Sequence, residues 1–166
     1  EIRNCDWSSD VCSSDLLGYP VLGNENLIEE LAKNGHAFLI SIGQIRNVNP
    51  RIELFNRLNA VHADLPIVIS PFARVSKYAT IGKGTIIMHF AVVNAAAEVG
   101  VNCIVNTQAL VEHDVKVGDH CHLSTGSILN GGVKIGSRSF LGSGAVTREA
   151  VQLAEDSFIK ANSLVK

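Results

Sequence analysis

Hydrophobic side chains recur every six residues along the C-terminal part of the chain, from Val75 to Val165. Fifteen of the sixteen positions in this series are aliphatic, and no insertion breaks the register. The series is Val75, Ile81, Ile87, Val93, Val99, Val105, Val111, Val117, Leu123, Leu129, Ile135, Leu141, Thr147, Leu153, Ile159 and Val165. The residue two positions earlier is always small or Val.

A period of six matches neither an α-helix nor a simple alternating strand. It predicts short strands joined by sharp turns, with one large and one small inward side chain per strand. Three strands close a triangular coil of eighteen residues, and successive coils stack as parallel strands about 4.8 Å apart. Residues 71–166 therefore predict a parallel β-helix of about five coils, with Thr147 as its one weak layer.

Gly or Asn follows the aliphatic residue in half of the repeats. Examples are Gly82, Asn94, Gly100, Gly118 and Gly142. Both residue types tolerate a left-handed backbone, so we expect these positions to form the corners of the coil.

Residues 17–70 show helical and extended patterns instead of the six-residue period. A first helix is predicted with Asn26 as its cap and Gly35 at its end, and a second begins at Asn49. The strings HAFLISIG and LPIVIS predict buried strands before and after the second helix. This order predicts a truncated Rossmann-like α/β fragment. A ligand would lie at the carboxyl end of its first strand, at Gly43 and Gln44, unless Gly43 merely ends that strand.

Residues 1–16 have no apolar period and are crowded with Ser and Asp. The stretch DWSSDVCSSDL looks like a translated sequencing adapter, and a disordered native tail is the alternative. We therefore expect three parts: an artefactual tail at 1–16, a partial α/β domain at 17–70 and the β-helix at 71–166. Cys5 and Cys12 are then neither a disulfide nor a metal pair.

Composition narrows the possible functions. The chain is 46% hydrophobic but only 5% aromatic, as an aliphatic stacked core requires, and its net charge of −2 offers no basic field for nucleic acid. No apolar stretch reaches the roughly 18 residues of a membrane span, and no secretion signal is visible, so we expect a cytoplasmic protein.

Cys103 and Cys121 stack one coil apart, where buried packing is favoured over a disulfide.

His113 is the candidate for catalysis. It lies two residues past the inward Val111 and directly before Asp114, so we expect it outside the core, either as a solvated surface residue or as a general base. Gly131 follows eighteen residues later, one coil above, where its N–H could meet a developing oxyanion. His122 lies half a coil away on another side, which predicts a site completed between subunits.

The stretch VEHDVKVGDHCHLSTGSILNGGVKIGSRSFLGSGAV resembles the hexapeptide acetyltransferases of the sialic acid O-acetyltransferase and UDP-4-amino-sugar N-acetyltransferase group. The strings LGYPVLG, HAFLISIG and LPIVISPFARVS also resemble that family, and the NT-x-A-x-V-E-H-D stretch is the most specific part. The resemblance implies a left-handed β-helix, a homotrimer, a nucleotide-sugar acceptor and acetyl-coenzyme A as acyl donor, without a covalent enzyme intermediate. It also implies that residues 17–70 are a partial sugar-nucleotide-binding domain.

The resemblance also implies a role for each site residue. His113 would deprotonate the acceptor and Asp114 would raise its basicity, while His122 of the adjoining subunit would contact acetyl-coenzyme A. Backbone amides would complete the coenzyme site, that of Gly131 on the thioester oxygen and those of Ser143 and Ala161 on the rest. Whether the acceptor atom is nitrogen or oxygen stays open.

One departure from the family limits this expectation. Family members begin with a strand and a Gly-rich turn that bind the nucleotide, and the adapter-like sequence stands there instead. We therefore expect a gene fragment that binds coenzyme A but acetylates a UDP-amino-sugar poorly.

The alternatives to an acetyltransferase are a β-helical scaffold or inactive fragment, and a γ-type carbonic anhydrase. The latter needs two His spaced five apart, which positions 113, 120 and 122 do not supply, so we expect no metal.

Overall fold

The computed structural model describes residues 15–16 and 18–166. The adapter-like tail up to Ser14, with Cys5 and Cys12, lies outside the described residues. Two short strands, β1 (Asp15–Leu16) and β2 (Tyr19–Pro20), pair antiparallel. Among the residues that the structure describes, no helix has the length and the apolar character needed to cross a membrane.

Two-residue strands make up the β-helix from Val68 onward. They are β3 (Val68–Ile69), β4 (Arg74–Val75), β5 (Thr80–Ile81), β6 (Ile86–Ile87), β7 (Val92–Val93), β8 (Glu98–Val99), β9 (Ile104–Val105), β10 (Leu110–Val111), β11 (Lys116–Val117), β12 (His122–Leu123), β13 (Ile128–Leu129), β14 (Lys134–Ile135), β15 (Phe140–Leu141), β16 (Val146–Thr147), β17 (Gln152–Leu153), β18 (Phe158–Ile159) and β19 (Leu164–Val165). Every strand therefore ends on a member of the six-residue series or on its extension to Ile69.

Every third strand joins the same parallel sheet. Sheet I contains β3, β6, β9, β12, β15 and β18; sheet II contains β4, β7, β10, β13, β16 and β19; sheet III contains β5, β8, β11, β14 and β17. Partners lie eighteen residues apart, as in Leu110↔Ile128 and Lys116↔Lys134. The predicted parallel β-helix and its coil length are confirmed.

The aliphatic column and the small column fill the core of the prism. Val93, Val105, Val111 and Leu129 are completely buried. Cys103 and Cys121 are buried free thiols in adjacent coils, and the N–H of Cys121 donates to Cys103 Sγ at 3.4 Å.

The corner prediction was wrong in position. The left-handed residue lies three positions after the inward aliphatic residue, at Asp114 (φ 60°) and His120 (φ 57°), for example. The Gly directly after the aliphatic residue instead allows the backbones of successive coils to pack closely. A Cβ on Gly142 would lie 2.5 Å from the backbone nitrogen of Ala161 in the next coil.

The N-terminal segment contains two α-helices, α1 (Ile28–Lys33), which follows a 3-10 turn at Glu25–Leu27, and α2 (Asn49–Ala60). Both helices are confirmed, but neither predicted cap holds that position: Asn24 caps the 3-10 turn before α1, and Val48 is the N-cap of α2, with Asn49 as its first helical residue. The side chain of Asn24 accepts the N–H of Asn26, and that of Asn47 accepts the N–H of Asn49, both at 3.0 Å.

The two strands predicted in this segment are not formed as expected. HAFLISIG makes only an isolated bridge, Ala37↔Asp64, because the Ile40 and Ile42 carbonyls accept hydrogen bonds from a side chain and not from a strand. LPIVIS contributes Val68–Ile69 to the β-helix itself, paired with β6. The separate apolar core of this segment, which includes Ile28, Phe38, Ile40, Phe55, Leu58 and Leu65, packs beside the β-helix. The division of the chain at residue 70 stays a prediction.

Candidate active site

His113 and Asp114 stand on the corner between sheet II and sheet III, directly after β10. The imidazole Nδ1 lies 2.8 Å from Asp114 Oδ2, and both side chains are 65% exposed. Because a carboxylate can only accept, Nδ1 carries the hydrogen and Nε2 keeps its lone pair in the neutral ring. The hydrogen bond to Asp114 raises the pKa of His113 above its ordinary value. The pair has the orientation and basicity of a general base.

Gly131 covers the His113 ring from the coil above, as the eighteen-residue spacing predicted. A Cβ at Gly131 would lie 2.8 Å from His113 Cε1 and 2.9 Å from Nε2, so only glycine leaves room for the ring. The next residue, Gly132, donates its N–H to the His113 carbonyl at 3.0 Å. Within the described part of the chain, the N–H of Gly131 makes no hydrogen bond.

Ser143 and Ala161 lie in successive coils of a different corner, the one between sheet I and sheet II. The carbonyl of Ser143 accepts the N–H of Asn162 at 2.9 Å. The N–H groups of Ser143 and Ala161 donate to no other described residue. The structure therefore groups His113 with Gly131, and Ser143 with Ala161, on two separate corners of one prism.

His122 is buried on the outer face of sheet I, with 8% of its surface exposed. Its Nδ1 donates to the Gln44 carbonyl, and its Nε2 accepts from Asn106 Nδ2 at 3.1 Å. Burial lowers the pKa of His122. In the described chain, both ring nitrogens of His122 are engaged, and the ring does not meet His113.

Gln44 and Gly43 differ in their surroundings. Gln44 is only 2% exposed, and its Nε2 donates to the His120 carbonyl at 2.8 Å. Gly43 is exposed, with open space where a Cβ would stand. The structure thus brings the Gln44 side chain to the His120 carbonyl and the Gln44 carbonyl to the ring of His122 on sheet I.

Sequence reasoning missed Arg51, which is completely buried in α2. Its Nη1 donates to the carbonyls of Ile40 at 2.6 Å and Ile42 at 3.0 Å, and its Nε donates to the Asn102 carbonyl at 3.3 Å. Burial lowers the pKa of the guanidinium to about 10. A signal was present, because Arg51 has helical spacing with the buried Phe55 and Leu58.

Among the described residues, no group of three His, Cys, Asp or Glu side chains is placed to hold a metal ion. The three His of the carbonic anhydrase alternative have other environments. His113 pairs with Asp114, His120 Nδ1 lies 3.0 Å from Asn102 Nδ2, and His122 has both nitrogens engaged within the chain.

Comparisons with known proteins bear on the fold and the family of this chain. Residues 114–149 match the family described as bacterial transferase hexapeptide (six repeats). No curated protein sequence gives a significant match. Solved structures do: the acetyltransferase domain of PglB from Neisseria gonorrhoeae is 30% identical over 95% of this chain and 76% of that one, with a TM-score of 0.88. The same domain in complex with acetyl coenzyme A is 29% identical over 95% and 77%, with a TM-score of 0.86.

A second protein is equally similar. PerB from Caulobacter crescentus, in complex with CoA and GDP-perosamine, is 31% identical over 93% of this chain and 74% of that one, with a TM-score of 0.86. These matches extend along nearly the whole chain. The chain therefore belongs to the hexapeptide-repeat sugar acetyltransferases, with their left-handed parallel β-helix.

Proposed function

We propose that this protein transfers the acetyl group of acetyl-coenzyme A to the amino group of a nucleotide-activated sugar, in the biosynthesis of a bacterial surface glycan. The observation that carries the proposal is the stack of His113, Asp114 and Gly131, in which the His113 ring bonds the Asp114 carboxylate and lies against Gly131, whose amide is unengaged. The similar proteins support the substrates, because one was solved with acetyl coenzyme A and another with CoA and GDP-perosamine.

The three residues divide the chemistry of a direct acyl transfer. His113 Nε2 takes a proton from the acceptor amine while the nitrogen attacks the thioester carbonyl. The Asp114 carboxylate stabilises the imidazolium that forms, and the Gly131 N–H donates to the oxyanion of the tetrahedral intermediate. The intermediate then expels the coenzyme A thiolate, which takes the proton from His113, so no bond to the enzyme forms.

The coenzyme site would span two subunits. The free amides of Ser143 and Ala161 lie on a different corner from His113, so a neighbouring prism is needed to bring the two corners together. We assign His122 to the coenzyme side of that shared site. Because both of its ring nitrogens are engaged within its own chain, its contact would be made by the ring carbons.

A homotrimer also explains the outer face of sheet II. The outward side chains of this sheet form an apolar column from β7 onward: Val92, Leu110, Ile128, Val146 and Leu164. Sheet III instead faces outward with Thr80, Glu98, Lys116, Lys134 and Gln152, and Lys116 pairs with Glu98 at 2.9 Å. We propose that sheet II packs against neighbouring copies of the chain, which light scattering can measure. A cytoplasmic location stays a prediction.

The test is coenzyme A release from acetyl-coenzyme A over a panel of nucleotide-linked amino sugars and their hydroxyl counterparts. His113→Ala should lower kcat by about 10²- to 10⁴-fold, the usual contribution of a general base. His36→Ala is the matched control, because His36 is an exposed histidine outside the β-helix and should leave turnover unchanged.

Three results would contradict the proposal. Equal turnover of wild type and His113→Ala would indicate a scaffold with no base at this position. Faster acetylation of the hydroxyl sugars would refute the amino acceptor. A monomer with full activity would refute the shared site.

A further inference from the structure

Thr147 breaks the aliphatic column of the β-helix without being exposed. It is completely buried, so its hydroxyl lies among aliphatic side chains, where a polar group is costly unless it is hydrogen-bonded. The β-helix has aliphatic residues at the other fifteen positions of the series. A Val at this position would keep the shape and remove the cost, so the hydroxyl needs an explanation.

The hydroxyl replaces a backbone hydrogen bond of the ladder. Thr147 Oγ1 accepts the N–H of Asn130 at 3.1 Å, and Asn130 Nδ2 donates to the Thr147 carbonyl at 2.7 Å. In three preceding coils, the residue at the position of Asn130 donates its N–H to a backbone carbonyl of the next coil, at 2.8–3.0 Å. These bonds are Ser76 to Val93, Asn94 to Val111, and Glu112 to Leu129.

The register shows the same local break. Strands β13 and β16 share only the residue pair Ile128↔Val146, whereas the other described strand pairs of the β-helix share two. Leu129 and Thr147 are therefore not paired in the ladder. This exception lies directly before the corner that carries Gly131.

The break lies next to the Gly131 amide. That N–H belongs to the peptide bond that joins Asn130 to Gly131, and Asn130 is held through both its own N–H and its side chain. On the other side, Gly131 lies against the His113 ring with no room for a Cβ. A shift of Asn130 into the regular ladder would therefore turn the Gly131 N–H relative to His113 Nε2.

We propose that Thr147 is a positioning residue for the oxyanion-binding amide. By taking the N–H of Asn130, its hydroxyl holds the Asn130–Gly131 peptide out of the regular ladder and aims the Gly131 N–H at the acyl oxygen beside His113. The inference rests on the proposed acetyl transfer, and it adds a role that neither the six-residue period nor the His113 geometry assigns.

Three variants test this role. Thr147→Val keeps the side-chain shape but removes the acceptor, so Asn130 returns to the regular ladder. Loss of an oxyanion donor costs about 10²- to 10³-fold in kcat, so a misdirected donor should cost about tenfold to a hundredfold. The KM for acetyl-coenzyme A should stay within about twofold and the Tm should not fall, because binding and the core are intact. Thr147→Ser keeps the hydroxyl and should recover most of kcat.

Thr85→Val is the matched control. Thr85 is also completely buried, accepts the N–H of Cys103 at 2.9 Å and donates to the Gly100 carbonyl at 2.8 Å, on the corner between sheet III and sheet I. Its loss should lower the Tm and leave kcat unchanged.

Each outcome decides between explanations. Wild-type kcat in Thr147→Val, or a Thr147→Ser variant as slow as Thr147→Val, would overturn the positioning role while leaving the proposed function standing. An equal loss of kcat in Thr85→Val would also overturn it, because any buried hydroxyl would then have the same effect. A wild-type protein that releases no coenzyme A with any acceptor would refute the proposed function itself.

Discussion

The β-helix and the N-terminal segment are held together by different means. In the β-helix, backbone ladders repeat every eighteen residues, so the position of a side chain follows from its number along the chain. In the segment before Val68, the described backbone pairs with another extended stretch only in the two-residue strands β1 and β2 and at the bridge Ala37↔Asp64. Side chains attach this segment to the β-helix, chiefly those of Arg51, Gln44 and His122.

This difference separates two kinds of functional geometry. The corner with His113 and Gly131 is built by the ladder and needs no other part of the chain. The surroundings of His122 depend on a loop that α2 holds in place. We call the contacts of Arg51, Gln44 and His122 that join the N-terminal segment to the β-helix the attachment. We therefore expect substitutions in the ladder to change the rate of acetyl transfer. Substitutions in the attachment should change the stability of the segment and the coenzyme side of the site.

Gly131→Ala should give the largest effect. The new Cβ would lie 2.8 Å from His113 Cε1, so either the imidazole or the Gly131 peptide must move. We expect kcat to fall about a hundredfold or more, as when an oxyanion donor is lost. Gly43→Ala is the comparison variant from the N-terminal segment: open space surrounds its Cβ position, so a loss of turnover there would report the predicted ligand contact and not a clash within the chain. Coenzyme A release measures both variants.

Equal losses of kcat in Gly131→Ala and Gly43→Ala would contradict this prediction, because the ladder would then have no special part in acetyl transfer. A strong loss in Gly43→Ala alone would favour the predicted acceptor contact at Gly43.

The same contrast explains what the sequence could predict. The period of six placed Gly131 over His113 and Cys121 over Cys103, because each coil repeats the previous one. The period did not predict the left-handed position at Asp114, since corner conformation depends on three-dimensional closure and not on the type of the residue after the aliphatic one. It also treated Thr147 only as a weak layer, because a hydrogen bond to Asn130 leaves no trace in a hydrophobic pattern.

Prediction failed most in the aperiodic segment. HAFLISIG has the composition of a buried strand, but the carbonyls of Ile40 and Ile42 accept hydrogen bonds from the guanidinium of Arg51, which lies eleven residues beyond Ile40. The sequence did not predict that the Gln44 side chain bonds the His120 carbonyl, and the role of Gln44 in binding a ligand stays a prediction. Such contacts join residues 76 and 78 positions apart, for Gln44 with His120 and His122, and no local pattern encodes them.

Arg51→Met should give the second largest effect, on the attachment. The substitution leaves the carbonyls of Ile40, Ile42 and Asn102 without their donor, and each buried group of this kind costs about 1–3 kcal/mol. Removal of a buried cation offsets part of that cost. We expect the free energy of opening of the segment to fall by about 2 kcal/mol, measured as faster amide hydrogen exchange over residues 38–44.

Arg57→Met is the matched control on the same helix. The Arg57 side chain is 46% exposed and pairs with Glu25, so its loss should change exchange over 38–44 very little. Slow exchange in Arg51→Met would show that the apolar core around Phe38 and Phe55 holds the segment without the buried guanidinium.

The smallest effect is a difference between two pH dependences, that of turnover and that of hydrogen-exchange protection over residues 38–44. The hydrogen bond to Asp114 raises the pKa of His113 above the ordinary imidazole value of about 6.5. On acidification, His113 therefore becomes protonated at a higher pH than a free imidazole would. Burial lowers the pKa of His122, so the folded state disfavours its protonation. The attachment is therefore fully stable above about pH 6.5 and weakens as the pH falls below that value. On acidification, turnover should fall first and protection over 38–44 afterwards.

Asp114→Asn tests whether the first transition belongs to His113. Loss of the carboxylate lowers the pKa of His113, so the acid limb of coenzyme A release should move to lower pH, with kcat at high pH reduced about threefold to tenfold. Hydrogen exchange over 38–44 should keep its wild-type pH profile, because His122 lies on sheet I and not at the corner that carries Asp114. If both profiles moved together, acid inactivation would report loosening of the N-terminal segment, and the ladder and the attachment would not be separable.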